Sequence, residues 1–316
     1  MPKIDGLSLS RVFGVRGMFY RLRKKLERAR FCAFTRGILD TPPMPVKDAP
    51  WTIISMVSNH DIQMYLLAMK SFYARIGRGK ITAVIDRDMP ASARAVLRHH
   101  FPGIALSILE DIEVGTCQRG GTWERLVHLL DHAETEYAIQ LDSDTLSFGA
   151  DISEVVHCAQ NNLAFTLSSA GQRLMSMPEI AKDARRHDSD YIGLVAERLF
   201  DRYPHADTLK YVRASSGFAG FAKGAFPRRK IEEFHAIMEG MLGARWKEWG
   251  SEQCGSNFAV ANSPNAVVLP FPKYGHFFGA STPRTGSAFL HFIGSHRYVD
   301  DYFARLGQEV IAALSG

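Results

Sequence analysis

The run Tyr137-Ala138-Ile139-Gln140-Leu141-Asp142-Ser143-Asp144-Thr145 sets two carboxylates two residues apart at the end of a largely apolar segment. If that segment is a buried strand, Asp142 and Asp144 project on the same side of the chain where it leaves the sheet. Two hard anionic oxygens so placed can hold Mg²⁺ or Mn²⁺, ions that keep some of their water and accept phosphate oxygens. The alternative is a strand-ending turn in which both side chains cap backbone amides. Asp-x-Asp alone is common; its place after an apolar strand is what favours the metal.

The surrounding chain reads as elements able to position such a pair. Thr52 to Val57, Ile81 to Ile85, Ile104 to Leu109 and Tyr137 to Leu141 are short apolar runs of strand type. Between them, Ile62 to Ile76, Ser92 to His100 and Thr122 to His132 carry helical periodicity. Strands alternating with helices imply a parallel sheet covered on both faces. Ligands of such sheets sit beyond the carboxyl ends of the strands. Polar groups there include Ser58 to Asp61, Asp86 and the acidic pair. Residues 172–210 read as helix and loop, a long helix is expected around Arg229 to Leu242, and Pro264 to Pro283 is Pro-rich and aromatic. The predicted organisation is a basic segment and linker over residues 1–48 and one catalytic unit over 49–316. Its first half, 49–150, would bind nucleotide and its second, 151–316, acceptor.

Composition narrows the class. The chain has 316 residues, 46% hydrophobic and 22% charged, as an ordinary cored protein does. No apolar run approaches the roughly 18 residues of a membrane span. The first residues show neither the apolar core nor the cleavage site of a secretory leader. Cys32, Cys117, Cys158 and Cys254 form no CxxC pair, against a zinc ribbon or disulfide scaffold and in favour of a reducing cytoplasm. Residues 1–40 hold ten Lys or Arg against Asp5, Glu27 and Asp40, a local +7, so the rest of a chain of net +5 carries −2. Within that segment, Arg16 to Arg36 spaces Phe19, Tyr20, Leu22, Leu26, Phe31, Cys32 and Phe34 as a helix face would. It is either a solvated leader, or a helix packed on the body, or a peripheral segment resting on an anionic membrane surface. Nucleic acid is not an expected partner, because no reader domain accompanies the charge.

Two enzyme classes place an acidic pair at a strand end. Phosphatases of the haloacid dehalogenase type carry Asp-x-Asp-Gly-Thr, whereas Thr145 here follows Asp144 directly and the motif sits near mid-chain. Three further blocks favour the other class. His291-Phe292-Ile293-Gly294-Ser295-His296-Arg297 resembles the His-x-x-Gly-x-x-Lys motif of the glycosyltransferase family eight group. Glu252-Gln253-Cys254-Gly255-Ser256-Asn257 resembles its Asp-Gln-Asp-x-x-Asn segment, and Ser215-Ser216-Gly217 its Asn-Ser-Gly turn. The blocks keep the family order over about residues 51–298. The resemblance implies a GT-A (Rossmann-like) fold, a mixed α/β sheet with helices on both faces. It also implies a metal-dependent glycosyltransferase moving sugar from a nucleotide-sugar, UDP-sugar foremost, to a glycan or lipid-linked acceptor. Departures are Arg297 for Lys with no following Pro-Trp, Glu252 and Cys254 for Asp, and Ser215 for Asn. A non-catalytic nucleotide-sugar binder is the remaining class, and it would not need the whole metal set.

By resemblance His291 joins Asp142 and Asp144 as a metal ligand, and an imidazole favours Mn²⁺ over Mg²⁺. Arg297 would hold the diphosphate, with Gly294 letting the backbone come close. Asp86 would contact base or ribose, unless it caps a helix. Arg125, Ser216 and Gly217 are expected along the donor. Gln253 would lie beneath the reacting carbon, implying retention, while Glu252 is the candidate base of an inverting reaction. Phe271, Tyr274, Phe277 and Phe278 with His276 form either an acceptor wall or core packing.

Overall fold

In the computed structural model, residues 22–149, 151–167, 169–283 and 285–316 are described. Helix α1 spans residues 22–34; its expected continuation over residues 16–21, with Phe19 and Tyr20, lies outside the described residues. The alternation read from the sequence follows as β1 (Trp51–Val57), α2 (Ile62–Ile76), β2 (Lys80–Ile85), α3 (Ala91–His100), β3 (Ala105–Ile108), α4 (Trp123–Ala133) and β4 (Tyr137–Leu141). Next come β5 (Thr145–Ser147), α5 (Ser153–Gln160), β6 (Phe165–Leu167), β7 (Met175–Ser176), α6 (Met177–Ala184), α7 (Ile192–Glu197), β8 (Lys210–Tyr211) and β9 (Ser215–Phe221). The chain closes with α8 (Arg228–Leu242), α9 (Ser251–Ala261), β10 (Val267–Val268), β11 (Tyr274–His276), β12 (Phe289–His291) and α10 (Tyr302–Ser315).

The main sheet has the order β10-β6-β9-β4-β1-β2-β3. Strands β4, β1, β2 and β3 are mutually parallel, as the alternation requires, since each pair is joined through a helix. β9 runs antiparallel to both β4 and β6, so the whole sheet is mixed. Strand β1 is buried along almost its whole length, the mark of a strand covered on both faces. Ser215-Ser216-Gly217, expected as a turn, is instead the first half of β9. Its small residues are extended because β9 fills the gap between β4 and β6, leaving room for no bulkier side chain at Gly220, where a Cβ would meet Tyr137 and Phe165 at 2.2 and 2.4 Å.

One topological event builds the site. After Asp144 the chain leaves the main sheet, and β5 pairs antiparallel with β12 in a second sheet of order β11-β12-β5. Its register sets His291 opposite Thr145, the residue that follows the acidic pair. Helix α2 lies under this junction and is buried nearly all round, as a helix with apolar residues on every side must be. Its Ser71 hydroxyl accepts the Ser147 amide at 3.1 Å, tying β5 to the helix.

Residues 41–47 end the N-terminal helical stretch as their prolines require, then run along the body. The Met44 and Val46 amides donate to His100 and Pro102 carbonyls at 2.8 and 2.9 Å. Lys70, wholly buried on α2, donates to the Thr41 hydroxyl and the Pro42 carbonyl, both at 2.7 Å. A buried ammonium needs such oxygens, because an unpaired one would be costly to bury. Among the described residues no helix is long and apolar enough to cross a membrane.

Candidate active site

A cleft of about 770 Å³ opens at the carboxyl ends of β1, β2 and β4, where a parallel sheet places its ligands. All eleven residues singled out in the sequence line it: Asp86, Arg125, Asp142, Asp144, Ser216, Gly217, Glu252, Gln253, His291, Gly294 and Arg297. They arrive from six separate stretches of chain.

On the cleft floor, one ligand atom each from Asp142, Asp144 and His291 lie within 4.8 Å of one another. Backbone bonds fix the three. The Asp142 amide donates to the Gly217 carbonyl at 2.9 Å, and the Phe292 amide to the Asp144 carbonyl at 2.8 Å. The capping alternative is not what the aspartate side chains do. Asp142 accepts from Arg125, and Asp144 meets both Arg297 and His291 Nε2, the last at 3.0 Å. Burial works against the charge on Asp144, but His291 and Arg297 hold its carboxyl well below the usual range. Burial pushes Asp142 up, with Arg125 offsetting it in part. One floor therefore holds two carboxylates in unlike surroundings.

His291 is held by what stands behind it. Ser215 Oγ lies 3.1 Å from its Nδ1 and also accepts the Gly217 amide at 3.1 Å. A hydroxyl can donate or accept, so two proton arrangements are allowed. In one, Nε2–H donates to Asp144; in the other, Nδ1–H donates to Ser215 and the bare Nε2 faces the carboxylates, as a metal ligand's must. Gly217 leaves the imbedded imidazole its space: a Cβ there would sit 2.1 Å from His291 Cε1. The donor set fits a divalent ion. Adjacent ligands of an octahedral ion of this size stand about 3 Å apart, as His291 Nε2 and Asp144 Oδ1 do at 3.0 Å, and two carboxylates with one imidazole suit Mn²⁺ or Mg²⁺.

Beside these three residues, Arg125 is buried on α4 and bridges the floor to α9. Its guanidinium reaches Asp142, Ser216 Oγ at 3.4 Å and Glu252 Oε2 at 3.2 Å. Glu252 sits in the first turn of α9 and caps nothing, for the N-cap position is Gly250 and no side chain bonds there. Its Oε2 also accepts from Ser216 and Thr122, each at 3.1 Å, while its Oε1 is buried with no protein partner. Burial raises the Glu252 pKa, and Arg125 offsets it in part. An orphaned carboxylate oxygen aimed into a cleft is a place for a ligand hydroxyl.

Other expectations sort by position. Asp86 caps no helix, since Pro90 holds that position for α3; it lines the cleft beside Val84 and Leu109. Burial raises its pKa, with Asp88 and Glu110 adding to it. Gly294 has a left-handed φ of 51° and no atom near the position of a Cβ, so its need for glycine is conformational. Of the aromatic run, Phe278 and His276 line the cleft, while Tyr274 and Phe277 are core. His276 is register partner to His291 in the parallel β11–β12 pair. Burial, with His291 beside it, lowers its pKa to about 3 and keeps it neutral.

Sequence reasoning missed Thr122, Tyr191, Arg213 and Trp249, all of which line the cleft. Thr122 has φ of 71°, rare for a β-branched residue, and follows two glycines that are also left-handed. Gly120-Gly121 before a helical run was the available signal. Tyr191 and Trp249 stand in polar loops with no local pattern to mark them.

No protein-family model matches the chain, and no curated protein matches it. Solved structures do. The apo structure of the bifunctional glycosyltransferase WbbM is similar over 85% of this chain and 50% of its own, at 16% identity and a TM-score of 0.51. The apo form of glycosyltransferase GlyE from Streptococcus pneumoniae TIGR4 is similar over 83% of this chain and 61% of its own, at 12% identity and a TM-score of 0.50. The chain thus spans between half and two thirds of the length of both. At such identities the likeness is one of fold, and the fold is GT-A.

Proposed function

We propose that this protein transfers a sugar from a nucleotide-sugar donor, with a divalent ion held by Asp142, Asp144 and His291. One observation carries the reading. Two carboxylates and an imidazole 147 residues further on converge within 4.8 Å on the floor of a cleft at the ends of parallel strands. Mn²⁺ or Mg²⁺ there supplies positive charge beside a diphosphate leaving group.

The remaining roles belong to the chain itself. Arg297 adds a second cation for phosphate oxygens, and its planar fork suits two of them at once. Asp86, with apolar Val84 and Leu109 around it, would accept from the base or ribose, and UDP is the donor nucleotide expected. Glu252 Oε1, Arg125 and Ser216 form a polar wall suited to donor-sugar hydroxyls. That wall occupies Glu252 and leaves Gln253 as the α9 side chain facing the cleft. We therefore assign Gln253 to the reacting carbon and favour retention of configuration. The acceptor, a glycan or lipid-linked sugar, would enter past Tyr191, Trp249 and Phe278. The four cysteines are free, which suits the proposed cytoplasmic setting.

Thermal-shift measurements with UDP, GDP, ADP and CDP, each with and without Mn²⁺, test the reading. One nucleoside diphosphate should raise the melting temperature only when the ion is present, by several degrees at a hundredfold excess over Kd. Its sugar conjugate should then be slowly hydrolysed. No shift with any nucleotide would sink the proposal.

A further inference from the structure

Sugar transfer leaves the basic N-terminal segment without a task, and α1 shows a surface that asks for one. Phe31 is buried on its inner side, ring to ring with Phe303 at 4.8 Å and Tyr298 at 5.9 Å. On the opposite side Leu22 and Leu26 are 52% and 63% exposed, and Ala29 and Ala33 are exposed beside them. At roughly 100° per residue these four fall within about 60° of arc. Arg23 and Arg30 flank the stripe on one side and Lys25 on the other, and all three are exposed. The one acid of the helix, Glu27, faces away and is paired with Arg23 and Lys24.

We propose that this face of α1 docks on an anionic lipid surface. Two leucines on a narrow stripe reach past the headgroups, while flanking arginines and lysines keep their charge among phosphates. The same charges argue against other covers. A second copy would bring like cations to a two-fold contact. Residues 1–21 carry Lys3, Arg11, Arg16 and Arg21 against Asp5 alone, so they would be repelled as well. The location gives the surface a use. Lys24 lies over Tyr298 at 5.5 Å, Arg30 pairs with Asp301, and Tyr298 follows Arg297 of the cleft. Docking would hold that wall within about 10–12 Å of lipid, one helix diameter. Given the transfer reading, on which this last step rests, the acceptor is then one carried in the membrane.

The test is co-sedimentation of the full chain with vesicles. Phosphatidylglycerol–phosphatidylcholine vesicles are compared with pure phosphatidylcholine at 50 and 500 mM NaCl. Wild type should bind the anionic vesicles at low salt, about tenfold or more tighter than the neutral ones, and release them at high salt. Leu22→Gln/Leu26→Gln should weaken binding by about tenfold, and Arg23→Gln/Lys25→Gln by a similar factor. Both sites are exposed, so melting temperature and donor hydrolysis should stay unchanged, which separates this outcome from failure of the transfer reading. Equal sedimentation of wild type and the leucine variant would overturn the proposal. So would absence of wild-type binding at low salt, or a wild-type dimer in light scattering that the leucine variant dissolves.

Discussion

The floor and the rim of the cleft are built on opposite plans. On the floor, Asp142 is paired with Arg125 and Asp144 with His291 and Arg297, and backbone bonds to Gly217 and from Phe292 lock the two aspartates in register. At the rim, Trp249 is 73% exposed, Tyr191 44% and Phe278 42%. Gln253 has a single weak bond there, to the Tyr191 hydroxyl at 3.5 Å. A floor ordered before any ligand arrives costs no reorganisation when charge develops, which is the condition for electrostatic catalysis. A rim of exposed rings and weak bonds is left for the substrate to order. On the proposed function, the contrast would put the chemistry on the floor and the choice of acceptor at the rim.

The strongest way to break that contrast is Asp144→Asn. The change keeps the shape and removes the charge that His291 and Arg297 both face. If the floor is the reacting centre, metal-dependent turnover of the donor should fall by roughly 10³-fold, the scale of losing a preorganised electrostatic partner. The depressed pKa of Asp144 makes its ionised form a stabiliser at every pH above the ordinary carboxylate range, and the asparagine lacks that contribution. The melting temperature at pH 7 should therefore fall too. Full activity in Asp144→Asn would move the chemistry off the floor.

A finer probe acts on the proposed metal site through a neighbour that cannot be a ligand. Ala at position 217 would put a methyl 2.1 Å from His291 Cε1 and 2.5 Å from Nδ1, so the ring must turn. Gly217→Ala should then lower Mn²⁺ affinity by about 10–100-fold, the usual effect of disturbing what orients a ligand. Electron paramagnetic resonance of free Mn²⁺ measures it directly. Unchanged affinity would remove His291 from the ligand set.

The same contrast governs what the sequence could reveal. The acidic pair follows from a local rule: a strand ends at Asp142, so two carboxylates share a side. His291 and Arg297, by contrast, are marked only by the resemblance of their segment to a family motif, a lone histidine or arginine being an ambiguous signal. The helices over 62–76 and 228–242 were legible because their apolar spacing repeats over four turns. What local pattern could not give was β9. Its Ser-Ser-Gly start looks like a turn and becomes a strand only because β4 and β6 leave a slot for it. Nor could it give the β5–β12 register, in which His291 pairs with Thr145, 146 residues away, and so reaches the acids. The rim was least legible of all. Tyr191 is held by contacts with Gly193 and Gly250, where a Cβ would lie 2.6 and 2.4 Å from its ring and hydroxyl. Two glycines 57 residues apart do not announce a shared tyrosine.

The smallest expected effect sharpens the contrast most. Trp249 stands between the short helical turn Gly243–Lys247 and Gly250, whose φ of 107° swings the chain into α9. So exposed a side chain contributes little to the fold, and Trp249→Ala should leave stability within about 0.5 kcal/mol. Its flat, wide ring at the mouth suits the apolar face of a sugar, and such contacts are worth about 0.5–1.5 kcal/mol. The acceptor KM should rise several-fold, with donor hydrolysis and Mn²⁺ affinity unchanged. A parallel loss of donor hydrolysis would instead place Trp249 on the donor, and the division between floor and rim would no longer hold.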